Sequence, residues 1–227
     1  MRGEPILEVS RVRANRGHGR HRLQVLAETS FAVHAGQSLA LVGISGAGKS
    51  TLAQVVLGLH AAANGQVCVQ GKKWADTKLR PDRRRRHLVQ GVPQDPAAAF
   101  VPRWTIRSSI EQAIKRLTDS TMSEKLMLEA AELAHFDPQL LNRHPAQLSG
   151  GQLQRAAITR ALAVQPAVLV ADEPTSALDP DTGESVLTAL LDSAEQSNIA
   201  LLMVTHDPHF AQRCTGMLTL HPPTPDF

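Results

Sequence analysis

The sequence is poor in aromatic side chains, holds few cysteines and has no long apolar run, and each shortage removes a class of protein. Aromatic residues make up only 3% of the chain and tyrosine is absent, and the basic stretch described below carries no nucleic-acid-binding motif. The 2 cysteines, Cys68 and Cys214, lie in unrelated segments. That spacing suggests neither a CxxC metal pair nor a disulfide framework and reads as two small buried hydrophobes. No apolar run approaches the roughly 20 residues needed to cross a bilayer. Met1 to Gln24 is too polar and too basic for a signal-peptide core. The expectation is a cytosolic protein.

What is present describes a folded chain of 227 residues, 42% hydrophobic and 20% charged with both signs mixed, which is the balance of a globular protein rather than a disordered one. This length predicts one domain with two lobes. The net charge of +3 is modest, yet Lys72, Lys73, Lys78, Arg80, Arg83, Arg84, Arg85 and Arg86 crowd one stretch against Asp76 and Asp82. Such a run reads first as a solvated helix face, with nucleic acid or a membrane headgroup as the other readings.

Short apolar runs with strand character occur at Ile6 to Val12, Phe31 to Val33, Leu39 to Val42, Val67 to Val69, Leu88 to Val92, Val168 to Ala171 and Ile199 to Val204. Leu39 to Val42 and Val168 to Ala171 are apolar without alternation, as parallel strands covered on both faces are. Between Trp104 and Leu148 the spacing turns helical, with Ile106, Ile110, Ile114 and Leu117 followed by Leu126, Ala130 and Leu133. The fold class expected is α/β, with a helical lobe closed by Pro138, Pro145 and the Ser149-Gly150-Gly151 turn. Pro222, Pro223 and Pro225 follow the last apolar segment.

Gly43-Ile44-Ser45-Gly46-Ala47-Gly48-Lys49-Ser50-Thr51 follows the strand Leu39 to Val42 and precedes the helical segment Leu52 to Leu59. This is a P-loop in the context the motif requires. Its glycines let backbone N–H groups turn in around a β-phosphate, and the helix adds its positive end to the same anion. Lys49 places a charge between β- and γ-phosphates, Ser50 ligates a phosphate-bridging Mg²⁺, and Thr51 adds a phosphate contact. A second half of the chemistry is the pair Asp172-Glu173 ending an apolar strand. Adjacent strand residues face opposite sides, so Asp172 can serve the Mg²⁺ shell while Glu173 faces a water in line with the γ-phosphate. An acid pair can also open a helix; the upstream P-loop favours the catalytic reading.

Leu148-Ser149-Gly150-Gly151-Gln152 before the helical run Ala156 to Val164 is another anion site, a hydroxyl and two glycine amides at a helix start. In order the chain carries the P-loop, Gln94 in Pro93-Gln94-Asp95, this LSGGQ, Asp172-Glu173, Ser176-Ala177-Leu178-Asp179, and His206 after a strand. The set resembles the ATP-binding cassettes of ABC transporters over nearly the whole length. The resemblance implies a P-loop NTPase core over about residues 1–93 and 166–227, a helical subdomain over about 94–165, and a small antiparallel β region. It further implies that Gln94 touches Mg²⁺ and couples the ATP site to membrane subunits, that His206 contacts the γ-phosphate, and that Asp179 is the acid of the D-loop. Two cassettes then pair head to tail, each ATP held by one P-loop and by Ser149, Gly150, Gly151 and Gln152 of the facing subunit.

Gln94-Asp95-Pro96, Val101 to Ile106 and Ala171 to Asp179 are similar to the ATPases of oligopeptide, dipeptide and nickel importers. Implied with them are ATP and Mg²⁺ as cofactors, a second ATPase of the same or another kind, two permeases and a solute-binding protein as partners, no nucleic acid, and a place on the cytoplasmic face of the cell membrane. One departure concerns the first loop, where the family stacks an aromatic on adenine. Here Arg16 falls near that position, with His18 beside it, and a guanidinium plane can stack on a base. His18 and His21 read as exposed rather than as a metal site. Two alternatives carry other functions. A soluble ABC ATPase acting on DNA or ribosomes would show a coiled-coil insertion, zinc-binding cysteines or two cassettes. A weakly hydrolysing subunit of an asymmetric pair would have lost part of Lys49, Glu173, His206 or LSGGQ.

Overall fold

The structure is a computed structural model, which describes residues 3–17, 23–78, 81–118 and 120–223. His18, His21, Arg80 and Pro225 lie outside the described residues. The first half of the chain runs β1 (Leu7–Arg16), β2 (Leu23–Val33), β3 (Ser38–Val42), α1 (Lys49–Val56), β4 (Asn64–Val69), β5 (Lys72–Ala75) and β6 (Val89–Val92). Then come α2 (Ile106–Leu117), α3 (Ser123–Leu133), α4 (Gly150–Leu162), β7 (Val168–Asp172), α5 (Pro180–Gln196), β8 (Ala200–Val204), α6 (Pro208–Gln212) and β9 (Gly216–Thr219).

Two sheets form. The first has the order β2-β1-β4-β5 and is antiparallel throughout. In β1 the buried positions are Leu7 and Val9, then Val12 and Ala14; the alternation skips one residue where the register shifts at Arg11, which sits at φ 49°. A bulge there keeps both pairs on the core face, since a one-residue slip would otherwise turn the second pair outward. The second sheet has the order β6-β7-β8-β3-β9 and every pairing in it is parallel.

The parallel strands are apolar on both faces because both faces are covered. Leu169 and Ala171 of β7, with Leu201 and Met203 of β8, pack into a core shared with α2, α3, α4 and α5. Their neighbours Val168, Val170, Ala200, Leu202 and Val204 enter a second core with α1 and the antiparallel sheet. Each fully buried Leu or Ile contributes about 1.5–3 kcal/mol of transfer free energy, so the central strands anchor two layers at once. The helical segment is built on amphipathic spacing, with Ile106, Ile110 and Ile114 of α2 completely buried against it. No helix among the described residues is long and apolar enough to cross a membrane.

The basic stretch is a helix face only in part, which narrows the sequence expectation. Lys72 and Lys73 lie exposed in β5, while Trp74 and Ala75 of the same strand are buried. Arg83 to Leu88 form a short 3₁₀ helix capped by Asp82. Arg85 turns back to stack over Trp74 with 5.9 Å between guanidinium and ring, and it donates to the carbonyls of Val69 and Lys73. Part of the charge is thus spent on holding the sheet edge. Both cysteines are half-buried rather than buried.

Candidate nucleotide site

All strands of the second sheet point the same way, so their carboxyl ends share one edge, where ligands of open parallel sheets bind. Four neighbours in that sheet, β6, β7, β8 and β3, are followed respectively by Pro93-Gln94, Glu173, Thr205-His206 and Gly43. Strand order therefore gathers residues that lie far apart in sequence.

The loop between β3 and α1 turns on two glycines. At Gly48, φ is 92° and a Cβ would stand 2.5 Å from the Val25 carbonyl oxygen of β2. At Gly43, φ is 145° and a Cβ would stand 2.4 Å from the Leu220 carbonyl oxygen. Only glycine fits either place. Lys49 opens α1 and folds over the loop, its Nζ donating to the carbonyls of Gly43 at 2.7 Å and Ile44 at 3.1 Å. Ile44, Ser45 and Gly46 are exposed at the tip, whereas Ala47 and Thr51 are buried beneath it.

Ser50 Oγ donates to Asp172 Oδ1 at 3.3 Å, which brings the helix start and the end of β7 together. Burial pushes the Asp172 carboxyl above the usual carboxylate range and the charge of Glu173 adds to the push, while the Ser50 hydrogen bond and Lys49 oppose it. Glu173 breaks from the strand at φ 47° and its N–H donates to the Val204 carbonyl of β8 at 2.9 Å. Its side chain then meets two others. Gln94 Nε2 donates to Oε2 at 3.4 Å, and His206 Nδ1 lies 3.5 Å from Oε1.

Ser176 opens the Ser176–Asp179 run, and the sequence alone gives it no role. Its hydroxyl accepts from Gln94 Nε2 at 3.3 Å and donates to the Glu173 carbonyl at 3.1 Å. It fixes the loop amide relative to the acid.

Ser149 caps α4 in a reciprocal box, its Oγ accepting from the Gln152 N–H at 3.3 Å and its N–H donating to Gln152 Oε1 at 3.0 Å. Ser149, Gly150 and Gln152 are exposed. Behind them, a Cβ on Gly151 would stand 2.3 Å from Thr182 Cγ2 and one on Gly150 would stand 3.3 Å from Leu178 Cδ2. Leu178 and Thr182, unassigned from sequence, are thus the floor under this turn. Asp179 caps α5 by accepting from the Thr182 N–H at 3.0 Å. Its hydrogen bonds with the Thr182 backbone and side chain hold the carboxyl below the usual range. Arg16, at the end of β1, is exposed and donates to Gln54 Oε1 of α1 at 3.2 Å.

A parallel sheet whose carboxyl edge carries a P-loop, a strand-terminal acid pair and a histidine from the adjacent strand defines a P-loop nucleotide hydrolase. The profile of the ABC transporter family matches residues 26–176, and the chain belongs to that family: it is an ATP-hydrolysing transport ATPase. Over 202 residues it is 37% identical to the nickel import ATP-binding protein NikE of Escherichia coli (strain K12), covering 86% of this chain and 74% of that protein. It is 38% identical to the NikE protein of Brucella suis biovar 1 (strain 1330), with coverage of 86% and 76%. Among solved structures, the ATP-binding cassette MJ0796, in a dimeric post-hydrolysis state bound to ADP and Pi, superposes with a TM-score of 0.81 at 29% identity, over 94% of each chain.

Proposed function

We propose that the chain is the ATPase subunit of an importer whose cargo is a nickel-type metal ion or a peptide. Its similarity to the nickel import ATP-binding proteins supports the importer reading. The observation that carries the hydrolysis is the Glu173 carboxylate, held by Gln94 and His206 at the edge where the P-loop opens. In this reading residues 94–165 form the subdomain that moves against the core.

The P-loop amides and Lys49 bind the β- and γ-phosphates. Ser50 Oγ, Asp172 and the free amide oxygen of Gln94 are all oxygen donors, two of them already facing each other, and suit a hard cation that keeps waters and phosphate oxygens in its shell. Bound Mg²⁺ would neutralise charge on the bridged phosphates. Glu173 orients the attacking water and takes its proton, and His206 steadies Glu173 and meets the γ-phosphate. Ser149, Gly150 and Gly151 act in trans, on a nucleotide held by the P-loop of a second ATPase subunit, whether a copy of this chain or a related one. Asp179 keeps α5 and the floor of that turn in position. Two permeases hold the pair at the cytoplasmic face of the membrane, with a solute-binding protein delivering cargo.

Uptake of labelled Ni²⁺ and of a labelled dipeptide by cells lacking the chain tests this reading. Loss of either uptake, restored by the wild type and not by Glu173→Gln, supports it. Unchanged uptake of both contradicts it.

A further inference from the structure

The basic stretch of residues 72–86 takes no part in the nucleotide site. Its excess of positive charge is larger than the +3 of the whole chain, so the rest of the molecule is net negative. Folding gathers that charge at one place. Arg85 is the tie: stacked over Trp74 and bonded to the carbonyls of Val69 and Lys73, it holds the short 3₁₀ helix Arg83–Leu88 against β5. A 3₁₀ helix has three residues per turn, so Arg83 and Arg86 fall on the same side of it. With Arg85 turned inward, Arg83, Arg84 and Arg86 stay exposed, and so do Lys72, Lys73 and Lys78.

Most of these cations have no partner within the fold. Lys73 pairs with Asp76 at 3.4 Å, and the Asp82 carboxylate caps the 3₁₀ helix. Lys72, Lys78, Arg83, Arg84 and Arg86 form no ion pair among the described residues. Protection of an open sheet edge accounts for the lysines of β5, an outer strand. It does not account for three arginines that stand off the sheet. A second, independent feature lies beside them. Leu59 is 76% exposed, the most exposed large apolar side chain among the described residues. Gly58 before it packs on Pro81, where an added Cβ would stand 2.3 Å from Pro81 Cγ, and Leu59, Pro81 and Arg86 border one groove. The aromatic ring of the stretch, Trp74, is buried, which removes the stacking surface of a single-stranded nucleic-acid site. Unpaired cations beside an exposed leucine suit an anionic lipid surface, whose phosphates meet the charges while the apolar side chain enters the headgroup boundary.

We propose, on the reading of the chain as a transport ATPase held at the membrane, that the exposed cations of residues 72–86 together with Leu59 form a docking surface for the anionic headgroups of the bilayer. The net-negative remainder of the chain turns this end of the molecule toward the lipid. The contact is peripheral, since no helix among the described residues is long and apolar enough to cross, and it adds to the hold of the permeases. Each Lys or Arg close to such a surface contributes about fivefold in affinity.

Co-sedimentation of the full chain with lipid vesicles tests the proposal. Vesicles of phosphatidylcholine alone are compared, at physiological ionic strength, with vesicles of three parts phosphatidylcholine to one part phosphatidylglycerol. Binding is expected on the anionic vesicles only, and it should fall as salt is raised. Replacing Arg83, Arg84 and Arg86 together by Ala should weaken it by about a hundredfold, with single-turnover ATP hydrolysis unchanged. Replacing the same three by Lys should leave it within about threefold, because a diffuse field counts charge and not the planar fork. Leu59→Ser should weaken it by at least about threefold. Equal binding to both kinds of vesicle, or unchanged binding by either the triple Ala variant or Leu59→Ser, overturns the proposal. So does tighter binding of a random-sequence DNA duplex than of the anionic vesicles at the same salt, which assigns the surface to nucleic acid. Failure of the transport reading looks different: the anionic vesicles still bind, while uptake of Ni²⁺ and dipeptide is unchanged in cells lacking the chain.

Discussion

His206 Nδ1 stands 3.5 Å from Glu173 Oε1, and the two side chains come from the ends of adjacent strands, β8 and β7. Neither residue shares a local motif with the other. Their meeting is a product of sheet order, and the chemistry assigned to this edge rests on it.

The carboxylate of Glu173 is assigned the proton of the attacking water. Glu173→Gln keeps the shape and the bond to Gln94 while removing the base. Single-turnover ATP hydrolysis by the variant is expected to fall by about 10²–10⁴-fold with nucleotide affinity retained. Turnover near the wild-type rate would assign the proton elsewhere.

His206→Ala leaves Glu173 with only Gln94. Single-turnover rate should fall by at least about tenfold while the affinity for ATP changes by less than about threefold, since a group that acts on the transition state lowers rate more than binding. A pure affinity loss would make His206 a ground-state contact only.

Gly48→Ala puts a methyl group against the Val25 carbonyl at a backbone angle of 92°. The left-handed conformation alone costs about 1–2 kcal/mol, and the clash must be relieved by moving β2 or the loop. A lower melting temperature together with lost nucleotide binding is the expected result, whereas Gly46→Ala, where the added Cβ meets nothing within 4 Å, should lose less stability. Equal effects at the two glycines would contradict the close approach.

The raised Asp172 carboxyl gives a pH-dependent term of stability. Its folded-state pKa lies above the unfolded value of about 4, so the native state binds the proton more tightly, and stability falls as pH rises through the interval between the two values. At neutral pH the buried charge is a cost. Asp172→Asn should therefore raise the melting temperature of the nucleotide-free protein at neutral pH, and the gain should vanish as the pH is lowered below the unfolded value. It should also weaken Mg²⁺-dependent ATP binding. A lower melting temperature for the variant at neutral pH would reverse the sign of the term.

The parts of the site that lie within continuous motifs were readable from the chain: Gly43 to Thr51 between strand and helix, Leu148 to Gln152 before a helix, and the acid pair after an apolar run. What joins them was not. The order β6-β7-β8-β3 is fixed by which apolar strands pair, and several near-identical runs of Val, Leu and Ala carry no label for their neighbours. Four-residue β5 is too short to show a period of two, and its two lysines hid the buried Trp74. Residues 180–196 do carry a local signal. Asp179 caps the helix, Pro180 follows at its first turn, and Gly183, Val186, Leu187, Leu190 and Ala194 recur at helical spacing. Ser176 and Thr182 gain their importance only from the tertiary contacts with Gln94 and Gly151.

In the proposed head-to-tail pairing, the Ser149–Gly151 turn, exposed at Ser149 and Gly150, completes the P-loop site of another subunit rather than its own. Lys49→Ala and Ser149→Arg variants, each inactive alone, should regain ATP hydrolysis when mixed, because a mixed pair holds one site with an intact P-loop and an intact turn. In a random equal mixture about a quarter of all sites are then whole. If the two variants co-sediment with ATP and the mixture stays inactive, or if Ser149→Arg alone hydrolyses ATP at the wild-type rate, the two halves of the site do not come from different subunits.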